Sequence, residues 1–190
     1  LQGFLGDDSR VPGVRAIPGA GTKVPLYILG SSTFGAQLAA HLGLPYGFAS
    51  HFAPEALTQA VDVYRRGFQP SEQATEPWVI AGVNVIVAPT EREAAEELND
   101  ATRSRVAALL APGRKLSDAE LDSVMSSPGG RQVASMMRYT ASGTPDTVKT
   151  YLDDFQQHAN ADELIVVPAS RSVENRLQSL ELLAQVSRLG

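Results

Sequence analysis

The residues with the clearest chemical potential are a glycine and two serines that follow a short apolar run. Residues 26–29 have the length and composition of a buried strand, and Gly30-Ser31-Ser32 comes directly after them. The next segment is helical in pattern, so free N–H groups, the positive end of a helix dipole and two hydroxyls would meet at one spot. Gly30 lets a ligand approach the backbone closely. The turn therefore predicts binding of an anion such as a phosphate.

A purely structural interpretation explains the same serines. Ser31 or Ser32 would cap the helix by accepting a backbone N–H with its hydroxyl, and the local pattern leaves both interpretations open. The turn lacks the Gly-Lys-Ser/Thr of a P-loop and the spaced glycines of a dinucleotide-binding turn. A nucleotide-binding signature is therefore absent from this stretch.

The elements around the turn predict a parallel βαβ unit. The helix after it carries Phe34, Leu38 and Leu42 at spacings of four, and Ala39 and Ala40 keep it slim for packing on a sheet. Gly43 supplies the left-handed residue that ends a helix. Residues 46–50 then start a second strand, and the Gly-Ser-Ser turn lies at the carboxyl end of the first one.

Strand and helix patterns continue to alternate after this unit, which predicts four strands, each followed by a helix, in an α/β fold. Residues 6–25 are rich in Gly, Pro and Asp and read as a long loop. Residues 111–142 break the rhythm. The first further elements that the sequence predicts are a helix over 54–68, a strand over 78–88 and a helix over 90–110 with a Thr90-Glu93 capping box. A short helix capped at Ser117 follows, between Pro112-Gly113 and Pro128-Gly129-Gly130. The last predicted elements are a helix capped by Thr144, a strand over 164–167 and a helix over 173–188 that buries Leu177, Leu180, Leu183 and Ala184.

Composition excludes several classes of function. The chain has 16 Lys and Arg against 21 Asp and Glu, a net charge of −5, which argues against nucleic acid or an anionic membrane as a partner. It contains no cysteine, so disulfides and thiolate metal sites are excluded, and this fits a reducing cytoplasm. The three histidines are scattered without the spacing of metal ligands, so no metal site is predicted.

Several segments resemble the bacterial luciferase-like flavin monooxygenases. The most specific are Leu29-Gly30-Ser31-Ser32 and the run Ala-Ala-His-Leu-Gly-Leu-Pro-Tyr-Gly-Phe-Ala at residues 39–49. The similarity continues in Gly-Thr-Pro-Asp-Thr-Val at residues 143–148, in Asp-Glu-Leu-Ile-Val-Val at 162–167 and in the closing helix at 176–184. The resemblance spans nearly the whole chain.

The resemblance implies a TIM-type (β/α)8 barrel. Such barrels have roughly 250 residues or more, whereas this chain has 190 and starts at Leu1 rather than Met. The part that matches is the carboxyl-terminal half, so we expect the chain to supply roughly the C-terminal half of a barrel. Residues 1–190 would form a single domain with 111–142 inserted before the last strand. The family's early catalytic histidine has no counterpart here.

The resemblance also implies a function. Reduced FMN would be held by its phosphate at Gly30, Ser31, Ser32 and Thr33, and a small organic substrate would be oxidised with O2. The expected partners are a flavin reductase, the N-terminal half of the same barrel and a second copy in a homo-oligomer, in the cytoplasm of a bacterium. The catalytic residues stay unknown. Ser50 and His51 follow a strand where barrel active sites lie and are candidate pocket residues, although His51 is equally explained as a hydrogen-bonded residue of a strand-end turn.

Three alternatives stay open. Relatives that use a deazaflavin for hydride transfer share the same fold, and nothing in the chain separates the two cofactors. A non-catalytic flavin-binding or structural relative would keep the same serines. A doubly wound domain whose Gly-Ser-Ser turn holds a sugar phosphate would account for the turn without the family.

Overall fold

A computed structural model describes residues 1–7 and 11–187 of the chain. Helices and strands alternate along most of it, with a long irregular segment before the first strand. The elements are α1 Gln2–Leu5, β1 Ile28–Gly30, α2 Thr33–Leu42, β2 Tyr46–Phe48, a 3-10 turn Pro54–Ala56, α3 Leu57–Gly67, β3 Val79–Val87, α4 Glu91–Leu110, α5 Asp118–Ser126, α6 Pro128–Ser135, β4 Thr140–Gly143, α7 Pro145–Ala159, β5 Glu163–Pro168 and α8 Val173–Val186.

All strand pairs are parallel, and β3 is the strand that organises the sheet. It pairs with β5 over residues 80–85, with β2 over 79–81 and with β4 over 84–87. Some of the β3 residues that pair with β5 also pair with β2, and others also pair with β4. Because a strand has only two edges, β2 and β4 must lie one after the other along the edge of β3 that faces away from β5. The sheet order is therefore β1-β2-β3-β5, with β4 continuing the β2 edge. Gly82 lies between the two partners on that edge.

The two faces of β3 are buried by different helices. Val79, Ala81 and Val83 pack into a core formed with α2, α3 and α7, and the next residues on this face continue it towards α8. On the opposite face, Ile86 packs with Ala94 and other residues of α4. The strand is consequently buried along its whole length, as its continuous apolar sequence predicts. This arrangement places α4 across the carboxyl end of the strand.

Most predicted elements are confirmed. The apolar run at 78–88 forms β3, and the helix predicted over 90–110 forms α4, with the Thr90 hydroxyl accepting the Glu93 N–H. Ser117 and Glu120 form a complete capping box at the start of α5. Gly43 ends α2 in the left-handed conformation, at φ 63°. The helix-capping residues and the glycine that ends α2 therefore indicated correctly where these helices begin or end.

Two helix faces were predicted correctly only in part. On α2, Ala39 and Ala40 are buried as predicted, together with Ala36, and they let the helix pack closely on the sheet, whereas Phe34 is 73% exposed and Leu38 is also exposed. On α8, Leu183 is buried as predicted, but Leu177, Leu180 and Ala184 are exposed and Ser179 is buried. The Ser179 hydroxyl accepts the Val87 N–H at 2.6 Å and donates to the Val87 carbonyl at 3.0 Å, so a polar contact fixes this face of the helix.

The structure has five strands where four were predicted. The missed strand is β4, whose sequence Thr-Ala-Ser-Gly is short and has little strand propensity. The Pro128-Gly129-Gly130 segment begins α6 and is not a loop, with Pro128 in the first helical turn. Thr144 occupies its predicted capping position, but its hydroxyl bonds Glu91 at 3.0 Å and makes no cap.

The described part of the predicted loop over 6–25 contains turns and no strand. Residues 8–10 of that segment and Arg188, at the predicted end of the last helix, lie outside the described residues. The division into one domain with an insertion over 111–142 stays a prediction. In the structure this stretch holds α5, α6 and the start of β4.

Candidate functional site

The Gly30 turn packs tightly against the first turn of α2. A Cβ on Gly30 would lie 3.5 Å from the Gly35 Cα, and one on Gly35 would lie 3.4 Å from the Gly30 Cα. The Tyr46 hydroxyl lies beside them and donates to the Ser32 carbonyl oxygen at 2.9 Å. Burial raises the pKa of Tyr46 to about 12, so this hydroxyl stays protonated and keeps donating. The glycines allow the close approach, and Tyr46 holds the turn in place.

The first turn of α2 has no side-chain cap. Ser32 is the N-cap residue, yet its side chain makes no cap hydrogen bond, so the interpretation of this serine pair as a helix cap is wrong. Ser31 and Ser32 are both exposed, and Thr33 is partly buried. The first turn of α2 also carries no acidic residue, whereas α4, α5, α7 and α8 each have at least one there. The positive end of this helix dipole therefore meets no carboxylate from the first turn of its own helix.

Residues 49–51 lie beside this turn and connect it to the centre of the sheet. The Ala49 N–H donates to the Gly30 carbonyl at 2.9 Å. Ser50 is fully buried, and its hydroxyl donates to the carbonyl of Gly82, in the gap that β2 and β4 leave along β3. The segment is thereby attached to two strands. Ser50 uses its hydroxyl within the fold, and its assignment to the pocket stays a prediction.

The His51 ring lies directly against β3 where glycine leaves room for it. A Cβ on Gly82 would lie 2.3 Å from the His51 Nδ1. The His51 carbonyl accepts from Asn84 Nδ2 and from Arg105 Nη1, each at 3.3 Å. Nδ1 itself is buried and has no hydrogen-bond partner among the described residues. Burial lowers the pKa of His51, with a smaller contribution from the Arg105 charge, which keeps the imidazole neutral near pH 7.

A cavity of about 450 Å³ opens next to this segment, at the carboxyl end of β3 and β5. Its lining combines apolar side chains with two guanidinium groups, and its volume suits a small organic molecule. The lining residues are Phe52, Ala101, Ser104, Arg105, Ala108, Leu109, Met136, Ala169 and Arg171.

Three residues of this region were missed by the sequence reasoning, and two of them left a signal. Asn84 is the one strongly polar residue of the apolar run at 78–88, and a buried polar side chain in such a strand needs an explanation. Arg105 has uncharged residues three and four positions away on α4, where an ion-pairing arginine would have an acid. Gly82 gave no signal of its own, because its role depends on where His51 lies.

Comparison with known proteins decides the family. The model of the luciferase-like monooxygenase family matches residues 4–160. The chain belongs to this family.

Relatives of the luciferase-like chain agree with that assignment. It is 41% identical to the uncharacterized protein YddN of Bacillus subtilis (strain 168) over 96% of the chain and 55% of that protein. Its fold matches the crystal structure of apo-MsnO8 with a TM-score of 0.74 and 31% identity, over 97% of the chain and 56% of that structure. The chain spans about half the length of the curated relatives it matches, and its fold is half of the barrel that its structural neighbours form.

A more distant solved structure shares the fold. The coenzyme F420-dependent tetrahydromethanopterin reductase from Methanopyrus kandleri matches with a TM-score of 0.58 and 14% identity, over 91% of the chain and 53% of that structure. This likeness concerns the fold alone.

Across the described residues, no helix is both long and apolar enough to cross a bilayer, and no group of at least three acidic or histidine side chains is arranged to hold a metal ion.

The pKa of His51 makes a prediction for the stability of this luciferase-like chain. Its folded-state pKa lies below the unfolded value near 6.5, so the unfolded state takes up the proton more readily as the pH falls through that value. We therefore expect the free energy of unfolding to decrease between pH 7.5 and pH 5.5 by more in the original protein than in the His51→Gln variant. Urea unfolding at both pH values measures this difference. Equal losses in the two proteins would contradict the buried, neutral imidazole.

Proposed function

We propose that this chain provides the FMN-binding side of a flavin-dependent monooxygenase that oxidises a small organic substrate with O2. Membership of the luciferase-like family supports a flavin-type oxidoreductase in general terms. The observation that carries the finer proposal is the uncapped start of α2, where exposed serine hydroxyls and backbone N–H groups stand beside a close Gly30–Gly35 contact. The complete active site belongs to the whole barrel, of which this chain is about half.

The turn suits a phosphate for three physical reasons. A phosphate monoester carries close to two negative charges, and the dipole of α2 places positive potential at this position, where the first turn of the helix carries no carboxylate of its own. Ser31 and Ser32 can each donate a hydroxyl proton to a phosphate oxygen. Gly30 has no Cβ to hold the phosphate away from the backbone, and Tyr46 fixes the turn from below through the Ser32 carbonyl.

The other residues of the site would contact the bound flavin and the organic substrate. A bound flavin supplies the redox chemistry with O2. His51 offers a neutral imidazole whose Nδ1 is buried against Gly82, so the other ring nitrogen, Nε2, would be the one to exchange a hydrogen bond with a bound group. Phe52 and Met136 line the neighbouring cavity with apolar surface, which favours an organic substrate over water. We assign these residues to orientation and water exclusion.

The proposal extends to the wider setting of the enzyme. It includes a flavin reductase that delivers reduced FMN, an N-terminal half that completes the barrel, assembly as a homo-oligomer and a cytoplasmic location. A deazaflavin-dependent hydride transfer is the second candidate, and the fold shared with an F420-dependent reductase favours keeping it. Competition between FMN and coenzyme F420 for the folded protein separates the two.

Titration with FMN and riboflavin tests the phosphate assignment. The two flavins differ only in the phosphate, so we expect FMN to bind at least about 100-fold more tightly, since two hydrogen bonds to a charged group contribute about 1.5–3 kcal/mol each. Quenching of flavin fluorescence measures both dissociation constants. Ribose 5-phosphate is the control, because it carries a similar phosphate ester without the ring system. Equal affinities for FMN and riboflavin, or displacement of FMN by equimolar ribose 5-phosphate, would contradict the proposal.

A further inference from the structure

The cavity beside His51 contains a cation that the fold does not neutralise. Arg105 is half-buried on α4 and lines the cavity, and it forms no ion pair with any residue in the described ranges 1–7 and 11–187. Burial lowers the pKa of its guanidinium, and no carboxylate opposes this effect. Removing a cation from water without a counter-ion costs free energy. A bound anion would therefore offset the cost of burying the Arg105 charge.

The hydrogen bonds of Arg105 leave most of its donors unused. A guanidinium has five N–H groups in a planar fork, and the recorded bond is the one from Nη1 to the His51 carbonyl at 3.3 Å. A carbonyl oxygen can accept that bond without neutralising the charge. The remaining donors match the two oxygens of a carboxylate, which arginine binds through paired hydrogen bonds.

A second arginine adds to the positive charge, and no acid among the described residues lines the cavity. Arg171 contributes from the segment after β5 and is exposed, so it lies nearer to solvent than Arg105. The chain as a whole carries a net charge of −5, so this positive cavity stands out from the rest of the surface. Such a local potential attracts anions towards the cavity.

Apart from Ser104, the rest of the lining is apolar. Phe52 is 54% exposed and Leu109 is 53% exposed, so both leave apolar surface uncovered around the two guanidinium groups. Met136 adds a flexible side chain that adapts to ligands of different shape. The cavity thus offers an anion-binding position next to a surface for hydrocarbon.

We propose that this cavity binds the carboxylate of an organic acid at Arg105, with Arg171 closer to its mouth and the hydrocarbon part against Phe52, Leu109 and Met136. The inference rests on the proposed function, because it gives that enzyme a substrate class: small aliphatic or aromatic carboxylates. The carboxylate anchors the molecule, and its hydrocarbon portion is the part presented for oxidation.

Binding of octanoate and of octanol to the folded protein tests the proposal. The two molecules have similar hydrocarbon chains and differ in charge at one end. We expect octanoate to bind at least about ten-fold more tightly than octanol, and Arg105→Met to abolish that preference while keeping the length of the side chain. Arg105→Lys should recover part of it, because the charge is kept and the fork is lost. Isothermal titration calorimetry gives each dissociation constant.

Arg92→Met is the matched control, since Arg92 lies on the same helix but is paired with Glu96 outside the cavity. It should leave the preference for octanoate unchanged. Equal binding of octanoate and octanol by the original protein would overturn the proposal, and so would a preference that survives in Arg105→Met with an unchanged thermal midpoint. If Arg105→Met unfolds, the test is made with Arg105→Lys and Arg171→Met. An unchanged preference for octanoate over octanol in both of these variants would overturn the proposal.

FMN titration of the same variants separates this inference from the function on which it rests. We expect Arg105→Met to bind FMN within about two-fold of the original protein, because the phosphate turn lies on α2. A large loss of FMN affinity with an unchanged octanoate preference would mean that Arg105 serves the flavin, which overturns the carboxylate site and leaves the flavin enzyme standing. Competition by inorganic phosphate, which lacks the hydrocarbon part, should require far higher concentrations than octanoate. The opposite order would also overturn the proposal.

Discussion

In the Ser31→Ala/Ser32→Ala double variant we expect FMN to bind about 10²–10⁴-fold more weakly than in the original protein, because two hydrogen bonds to a charged phosphate are lost at about 1.5–3 kcal/mol each. Both hydroxyls are exposed at the start of α2, and the Ser32 side chain makes no cap there. The substitutions therefore remove ligand contacts without removing a contact of the fold. Fluorescence titration with FMN measures the loss, and riboflavin affinity should barely change.

A crossed comparison with Ser117→Ala makes this test specific. Ser117 belongs to a complete capping box on α5, far from the flavin turn in sequence, and its removal should cost about 1 kcal/mol of stability. We expect Ser117→Ala to lower the free energy of unfolding and to leave FMN binding unchanged. The double variant at the turn should do the reverse. An unchanged FMN dissociation constant in the double variant would remove the phosphate assignment.

The largest effect on stability is expected for Gly43→Ala, at about 3 kcal/mol or more, because backbone strain and overpacking each cost about 1–3 kcal/mol. Gly43 has a φ of 63°, a backbone angle that residues other than glycine adopt only at a cost in free energy. A Cβ there would also lie 2.4 Å from the Gln69 carbonyl oxygen and 2.6 Å from the Ser71 Cβ. Backbone on the facing segment would have to move. Urea unfolding measures the change.

Gly113→Ala is the matched control for this effect. Gly113 has a φ of 74°, close to that of Gly43, but an added Cβ would meet nothing within 4 Å. The difference between the two variants therefore isolates the steric part from the conformational part. We expect Gly113→Ala to lose about 1 kcal/mol, the lower end of the strain cost. Equal losses at the two positions would mean that the facing segment yields freely.

Local signals in the sequence predicted much of the fold. The apolar run at 78–88 is rich in β-branched residues, which predicts a buried strand, and the caps at Thr90 and Ser117 depend on residues that are close together in the sequence. The packing of α2 could be predicted only in part, since Ala39 and Ala40 are buried as expected but Phe34 and Leu38 are exposed. Three alanines and three large apolar residues both lie at helical spacing there, and which group faces the sheet depends on how closely the helix packs on Tyr46.

The candidate site divides in the same manner. Gly30, Ser31 and Ser32 are adjacent in the chain, so their common position could be predicted from one turn. His51, Gly82 and Arg105 come from three separate elements, and their contact depends on the register of β3 and the course of α4. The cavity next to them could not be predicted, because no local pattern specifies which helix crosses the carboxyl end of the sheet.

The order of the strands has a consequence for how the nascent chain folds. β3 is apolar along its length, and its β5 edge stays unpaired until the ribosome has released Pro168. During that interval the growing polypeptide presents an open, β-branched edge to its surroundings, which is the kind of surface that recruits other unfinished chains. We therefore expect the yield of folded protein to depend on how soon β5 follows β3 during synthesis and on chaperones that cover the open edge.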